Sequence, residues 1–560
     1  MEQRVQTKYI EGWRVMRKKI LFIIPPCVAI SDLIPDRGKT FSNKIRKEVP
    51  LGALSLATYL EHYTQASVTI LDLNLEFYEL VNEGKIGETE EAEMYIEGFL
   101  KEFQYKEFDI CGISSIFSPT YSYLGIISRL VKKIFPAALI VAGGGVPSNL
   151  MAEVFSGAPC IDVISYGEGE LAITGLVTSK NEQEYLANSP SLVTRQKYQE
   201  GFQASFEFIE ELDEIPPLDF SLIELRRYSS HVHSQDGRKV VAMPLMFSRG
   251  CPFRCCFCAS HSIHGRKVRY NSLERIKADI KLSVERYHVN TITVWDDNFF
   301  VDKRQALELL DFFMELNLVV EFVNGFPVYR MDDDMAKRLK LSGIEVVTLA
   351  IESGNPRVLK DIIHKPLTLE MVPEAIATLH KYGMYVKGLF VIGFPGETLD
   401  DIQITTEFIH NSGLNWVDIF VAQPLPGSDL YDICKSGGYL KDGGLDKCNF
   451  WAGNIQTEFF TAEQIEEIQV YHTIKKDFVN NLDMQNERWE SALVNFEYVI
   501  NAKHNNPFAY YYAAKAAKML DLTEKALQYY NTYLEIREKS VEWEEIFQRF
   551  MNESVEFSGI

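Results

Sequence analysis

Four cysteines fall within the stretch Cys251-Pro252-Phe253-Arg254-Cys255-Cys256-Phe257-Cys258. Cys251, Cys255 and Cys258 form C-x3-C-x2-C, a three-point bite with an aromatic, Phe257, just before the last thiol. Three thiolates hold three irons of a [4Fe-4S] cluster and leave the fourth open. An open position separates a reactive metal centre from a structural one, in which protein closes every site. Cys256 is expected to point away from the bite and not to be a ligand. The competing reading is a closed zinc knot, with His261 completing a Cys3His set. A packing accident is not a serious alternative for so dense a run.

The elements around the cysteines decide between these readings. Strand candidates run over 241–248, 291–295, 321–324, 346–351, 385–392 and 416–421, separated by helix-length segments. Such an alternation predicts a partial (βα)6 barrel, whose chemistry sits at the carboxyl ends of the strands. The cysteines follow the first strand directly, a context that a surface zinc knot does not need. Polar and glycine-rich groups end other strands: Asp296-Asp297-Asn298, Glu352-Ser353-Gly354 and Gly393-Phe394-Pro395-Gly396-Glu397-Thr398. The carboxylates at 296 and 297 suit an ammonium group, or are acidic N-caps of the next helix. Upstream, short apolar runs at 19–26, 67–73, 109–115, 138–142 and 160–166 alternate with helical patterns. This predicts an α/β, doubly wound parallel sheet that binds ligands beyond the strand ends. Small residues fall at those ends, where a flat ligand can approach the backbone.

The approach Phe247-Ser248-Arg249-Gly250 and the cysteine spacing together resemble the radical S-adenosylmethionine (SAM) family. Pro50-Leu51-Gly52, Ser114-Ser115-Ile116, Gly143-Gly144-Gly145 and Gly167-Glu168-Gly169-Glu170 resemble the cobalamin-binding domain of its B12-dependent class. The resemblance spans roughly residues 18–430 and implies a [4Fe-4S] cluster, SAM and cobalamin as cofactors. It implies that Cys251, Cys255 and Cys258 bind the cluster, and that Phe257, Asp296, Asp297, Glu352, Ser353 and Gly393 contact SAM. It implies cobalamin contacts from Pro26, Gly52, Ser114, Ser115, Gly143, Gly144, Gly145, Gly167 and Glu168. The first-strand loop, Pro25 to Ser31, offers no histidine, so the implied cobalamin has no histidine ligand.

The implied activity is C-methylation of an unactivated carbon of a small molecule, using methylcobalamin and a 5′-deoxyadenosyl radical. The alternatives are a non-methylating enzyme of the same class, catalysing ring formation or rearrangement, and a cobalamin or Fe–S sensor with a helical output. A methylthiotransferase fits less well, because Cys27, Cys111 and Cys160 are scattered rather than clustered as a second site. The substrate-side catalytic residues are not readable from the chain.

A net charge of −21 over 560 residues argues against nucleic acid as the partner. No apolar run reaches the ~20 residues of a membrane span. Nine cysteines, four of them clustered, suit a reducing cytoplasm and a metal site. The basic run Arg266-Lys267-Val268-Arg269 is either a solvated loop or an anion contact, with SAM or with an acidic flavodoxin- or ferredoxin-type electron donor. Near the end, Glu490-Ser491-Ala492-Leu493 recurs as Glu524-Lys525-Ala526-Leu527, the 34-residue tetratricopeptide (TPR) period, with Pro507 placed to start a helix. The expected organisation is a cobalamin-binding domain over 1–185, a linker over 186–236 and a barrel over 237–430. A barrel extension follows over 431–485, then a helical TPR-like module over 486–560 that docks on the barrel or on a protein partner.

Overall fold

A computed structural model describes residues 17–33, 45–88, 91–228, 231–232, 239–441, 453–502 and 505–553. The outer ends of the expected first and last domains, 1–16 and 554–560, lie outside the described residues, as does 442–452 within the expected barrel extension.

The first body is a six-stranded sheet of β1 (Lys19–Ile24), β2 (Ser67–Asp72), β3 (Ile110–Ser114), β4 (Leu139–Gly143), β5 (Val163–Ser165) and β6 (Leu192–Thr194). The order is β2-β1-β3-β4-β5-β6. Pairing is parallel throughout except for β6, which runs antiparallel to β5. The strands read as near-continuous Ile, Leu and Val runs because helices cover both faces. One face packs Leu21, Ile23, Cys111, Ile113 and Ile140, and the other Ile20, Phe22, Val68, Ile110 and Val141. The strand order reverses between β1 and β3, and such a switch point opens a crevice at the carboxyl ends.

The expected linker therefore begins too early. Residues 192–194 belong to the sheet, and the buried Lys197 ammonium ties the turn before β6 by donating to the Leu186, Ser189 and Leu192 carbonyls. A three-residue edge strand flanked by Ser189, Pro190 and Ser191 carries too little periodicity to stand out from a loop.

The second body is the barrel. Its first three strands, Ala242–Leu245, Thr291–Val294 and Val319–Phe322, pair in parallel, as do its last three, Val346–Glu352, Tyr385–Ile392 and Trp416–Val421. A parallel bridge between Phe326 and Leu349 joins the two halves. The third strand lies two residues earlier than the expected 321–324. Tyr385–Ile392 alternates half-buried and fully buried residues, the period-2 pattern of a barrel wall.

Helices Trp489–Ala502, Pro507–Met519, Thr523–Lys539 and Val541–Glu553 form the tail, and the first and third start 34 residues apart. Pro507 opens its helix behind the Asn506 cap. That helix is buried nearly all round, so small alanines and large aromatics interdigitate with both neighbours. The tail's core includes Phe478 of the extension and Trp416 and Tyr385, which begin the last two barrel strands. The module thus leans on the amino end of the barrel, away from the carboxyl ends that carry the cysteines.

Candidate functional site

The cysteine loop is fixed at its base by the end of the second barrel strand. Asp296 is buried and accepts from the Phe247 amide at 2.9 Å and the Ser248 hydroxyl at 2.5 Å. Burial pushes its carboxyl up to about 7, against the pull of those two donors. Asp297 accepts from the Gly250 amide at 2.8 Å. Gly250 has φ +94°, and a Cβ there would stand 2.5 Å from the Lys267 carbonyl oxygen, so only glycine lets the loop fold back on itself.

Cys251, Cys255 and Cys258 are half-buried, whereas Cys256 lies in the barrel core. The Cys256 amide donates to the Ile363 carbonyl, and its own carbonyl accepts from Leu430. Burial pushes the Cys255 thiol up to about 11, opposed by the charge of Lys365, so iron must displace a proton there. Half-buried Lys365 donates to the buried Glu352 at 2.8 Å, beside the thiols. Glu352 adopts φ +71° next to a register shift in its strand, strain of the kind found at functional sites.

The three thiols lie within electrostatic reach of one another. That arrangement fits a cluster, in which each thiolate takes a different iron. Nδ1 of His261 faces the Cys258 carbonyl at 3.1 Å, and Nδ1 of His264 faces Glu168 at 2.8 Å.

Gly393 and Phe394 both donate to Glu397, at 2.8 and 2.7 Å. Burial pushes the Glu397 carboxyl up to about 8, and its other oxygen is buried without a protein partner. A buried carboxyl oxygen without a protein partner at the barrel mouth fits a polar ligand group. Phe257 lies 6.1 Å from the Phe394 ring. Ser353 turns its hydroxyl away, to Thr405 at 2.9 Å.

Across from the loop lie the carboxyl ends of the sheet. Gly144 adopts φ +100° against the Ser115 backbone, and Val146 donates to the Ser115 carbonyl. Ser114, Gly143 and Gly145 line the same edge, with Pro26 beyond β1. Gly52 has open space above it. Ile116 and Phe117, just past β3, are 51% and 48% exposed. Two adjacent large apolar side chains at a strand end, together with the buried, unpartnered Ser165 hydroxyl, fit a broad ligand with an apolar face and polar edges. The Ser115 hydroxyl is engaged with Thr120.

Glu168 behaves differently from the expected cofactor contact. Its carboxylate is held by Arg269 at 2.5 and 3.0 Å, by His264 at 2.8 Å and by Arg249 at 3.1 Å. Burial alone would raise its pKa, yet His264, Arg249 and Arg269 hold it at about 2. A carboxylate with these four contacts is committed to the domain interface. Arg269 is therefore not a free anion contact, although Lys267 in the same run is exposed and paired with Glu210. The cue was present in Gly-Glu-Gly-Glu and in the arginine ahead of the cysteines, but nothing local pairs them.

Family models match both bodies: the B12 binding domain at residues 46–177 and the radical SAM superfamily at 245–409. The chain belongs to the cobalamin-dependent radical SAM enzymes. Its cofactors are accordingly a [4Fe-4S] cluster, SAM and cobalamin. It is 28% identical to an uncharacterized methyltransferase of Pyrococcus horikoshii over 64% of this chain and 76% of that protein. It is also 28% identical to cytidylyl-2-hydroxyethylphosphonate methyltransferase of Streptomyces wedmorensis, over 75% of this chain and 84% of that one. The fold is similar to that of the cobalamin-dependent SAM radical enzyme OxsB, with TM-score 0.60 and 15% identity over 97% of this chain and 85% of the other. Among the described residues, no helix is long and apolar enough to cross a membrane.

Proposed function

We propose that this enzyme methylates an unactivated carbon of a small molecule. The observation that carries this reading is the facing of the two bodies. The sheet end meets the cysteine loop through Glu168 and Arg249, and through the Asn149 amide donating to Ser262 at 2.8 Å. With its groups bound, such an enzyme has a 5′-deoxyadenosyl radical supplied from SAM and a methyl group supplied from cobalamin. The chain's own residues hold and orient them. Cys251, Cys255 and Cys258 bind the cluster, and Asp296 and Asp297 brace the loop that carries these thiols. Glu352, Gly393 and Phe257 frame SAM, with Glu397 supplying a polar contact. Pro26, Gly52, Ser114, Gly143, Gly144, Gly145 and Gly167 border cobalamin, with Ile116 and Phe117 against its apolar face. A flavodoxin- or ferredoxin-type donor reaches the cluster from the surface where Arg254 is exposed.

Anaerobic reconstitution with iron, sulfide and cobalamin, followed by mass spectrometry of SAM products, tests this. Expected are 5′-deoxyadenosine, S-adenosylhomocysteine and a product heavier by about 14 Da per methyl. A product formed without that gain would assign a ring-forming or rearranging enzyme instead. Absence of SAM cleavage in cluster-loaded protein would point to a sensor.

A further inference from the structure

Arg249 and Arg269 are partners in a two-residue antiparallel bridge, Ser248–Arg249 with Arg269–Tyr270, that closes the neck of the cysteine loop. Glu168 reaches from the end of β5 and grips both arginines, and His264 within the loop. Glu170 adds a second carboxylate, accepting from Arg249 at 2.8 Å and from Ser55 at 3.0 Å. Two carboxylates thus balance two guanidiniums in a largely buried site. A stack continues through the connecting segment: Tyr166 on Phe206 and Phe206 on Phe208, each at 4.8 Å, then Arg269 over Phe208 at 4.3 Å. Gly167 and Gly265 leave room for it, since a Cβ would stand 2.7 Å from Phe206 and 3.1 Å from Phe208 respectively.

We propose that Glu168 is a positioning residue that clamps the neck of the cysteine loop to the end of the cobalamin sheet, and so sets the separation of cobalt and cluster. The proposal rests on the reading that one chain binds both groups. A clamp at the neck moves the three cysteines together. Loosening it leaves their bite intact and shifts the whole loop relative to the sheet. A misplacement of about 1 Å is enough to cost a reaction about 100-fold.

The test uses the holoenzyme loaded with iron, sulfide and cobalamin, as wild type, Glu168→Gln and Arg269→Lys. Arg269→Lys keeps the charge but loses the two-pronged grip. Pulsed electron paramagnetic resonance reads the distance between cob(II)alamin and the reduced cluster. Both variants should keep wild-type iron content, bound cobalamin and uncoupled SAM cleavage, while the distance distribution broadens or shifts by about 1 Å or more. Wild-type distances in a doubly loaded Glu168→Gln protein would overturn the clamp. So would loss of cobalamin in Glu168→Gln with unchanged distances in Arg269→Lys, because Glu168 would then be a cofactor ligand. Should Glu168→Gln fail to fold, Arg269→Lys decides by the same criterion. A wild type that takes up no cobalamin would overturn the underlying reading, not the clamp.

Discussion

Replacing Gly144 with alanine probes how closely the protein backbone must pack at the cobalamin edge. The residue has φ +100° and ψ −173°, a region essentially reserved for glycine, where a side chain costs about 1–3 kcal/mol. A Cβ would also stand 2.6 Å from the Ser115 carbonyl oxygen. That neighbour is backbone and cannot rotate away. It accepts from Val146 at 3.1 Å, and parting the loops would lose that bond, adding about 1 kcal/mol. The total is about 2–4 kcal/mol, shared between domain stability and cobalamin affinity. If affinity took all of it, binding would weaken about 30- to 700-fold. Spectrophotometric cobalamin titration and thermal unfolding of the same preparation measure both shares. Gly98→Ala is the control: Gly98 is helical with nothing within 4 Å of a Cβ, so alanine there should stabilise by up to about 1 kcal/mol. Wild-type affinity and melting temperature in Gly144→Ala would refute the close packing of these loops.

Three further outcomes follow from the site and its supports. Cys255→Ala should lose the Fe–S absorbance and SAM cleavage, while Cys256→Ala keeps its iron at a cost of about 1 kcal/mol from its core position; equal iron loss in both would make Cys256 a ligand. Lys365→Met strands Glu352 as a buried charge and should destabilise by about 3–5 kcal/mol, and a melting temperature unchanged from wild type would show that the pair is not coupled. His410 and His472 share a hydrogen bond at 2.9 Å, and burial lowers each to about 4. Between about pH 6.5 and pH 4 the unfolded chain takes up protons that these folded rings refuse. Their contribution is therefore complete above that window and is lost as pH falls through it. His472→Gln should flatten the acid side of the melting-temperature profile, and an unaltered slope would count against this assignment.

Much of the architecture is legible along the chain because parallel strands buried on both faces leave long apolar runs. The strands at Tyr385–Ile392 and Trp416–Val421 fall where the pattern puts them. β6 does not, because three residues after a proline carry no usable period. The 34-residue recurrence announces the helical tail but not its seat. Trp416 and Tyr385 read as ordinary strand residues, and only packing makes them part of the tail's core.

The sequence by itself determined the chemistry that the metal site can perform. A chelate set by three thiols within eight residues depends on local spacing, and local spacing survives in any fold that exposes the loop. It also placed the glycines where backbone must come close. Tertiary structure alone decided what each carboxylate does. Asp296 braces a loop, Glu397 keeps an unpartnered buried oxygen, and Glu168 grips two arginines, one of them 101 residues away. A carboxylate's role follows from the charges and the dielectric around it, and those are fixed by how the two bodies dock, not by the residues beside it in the chain.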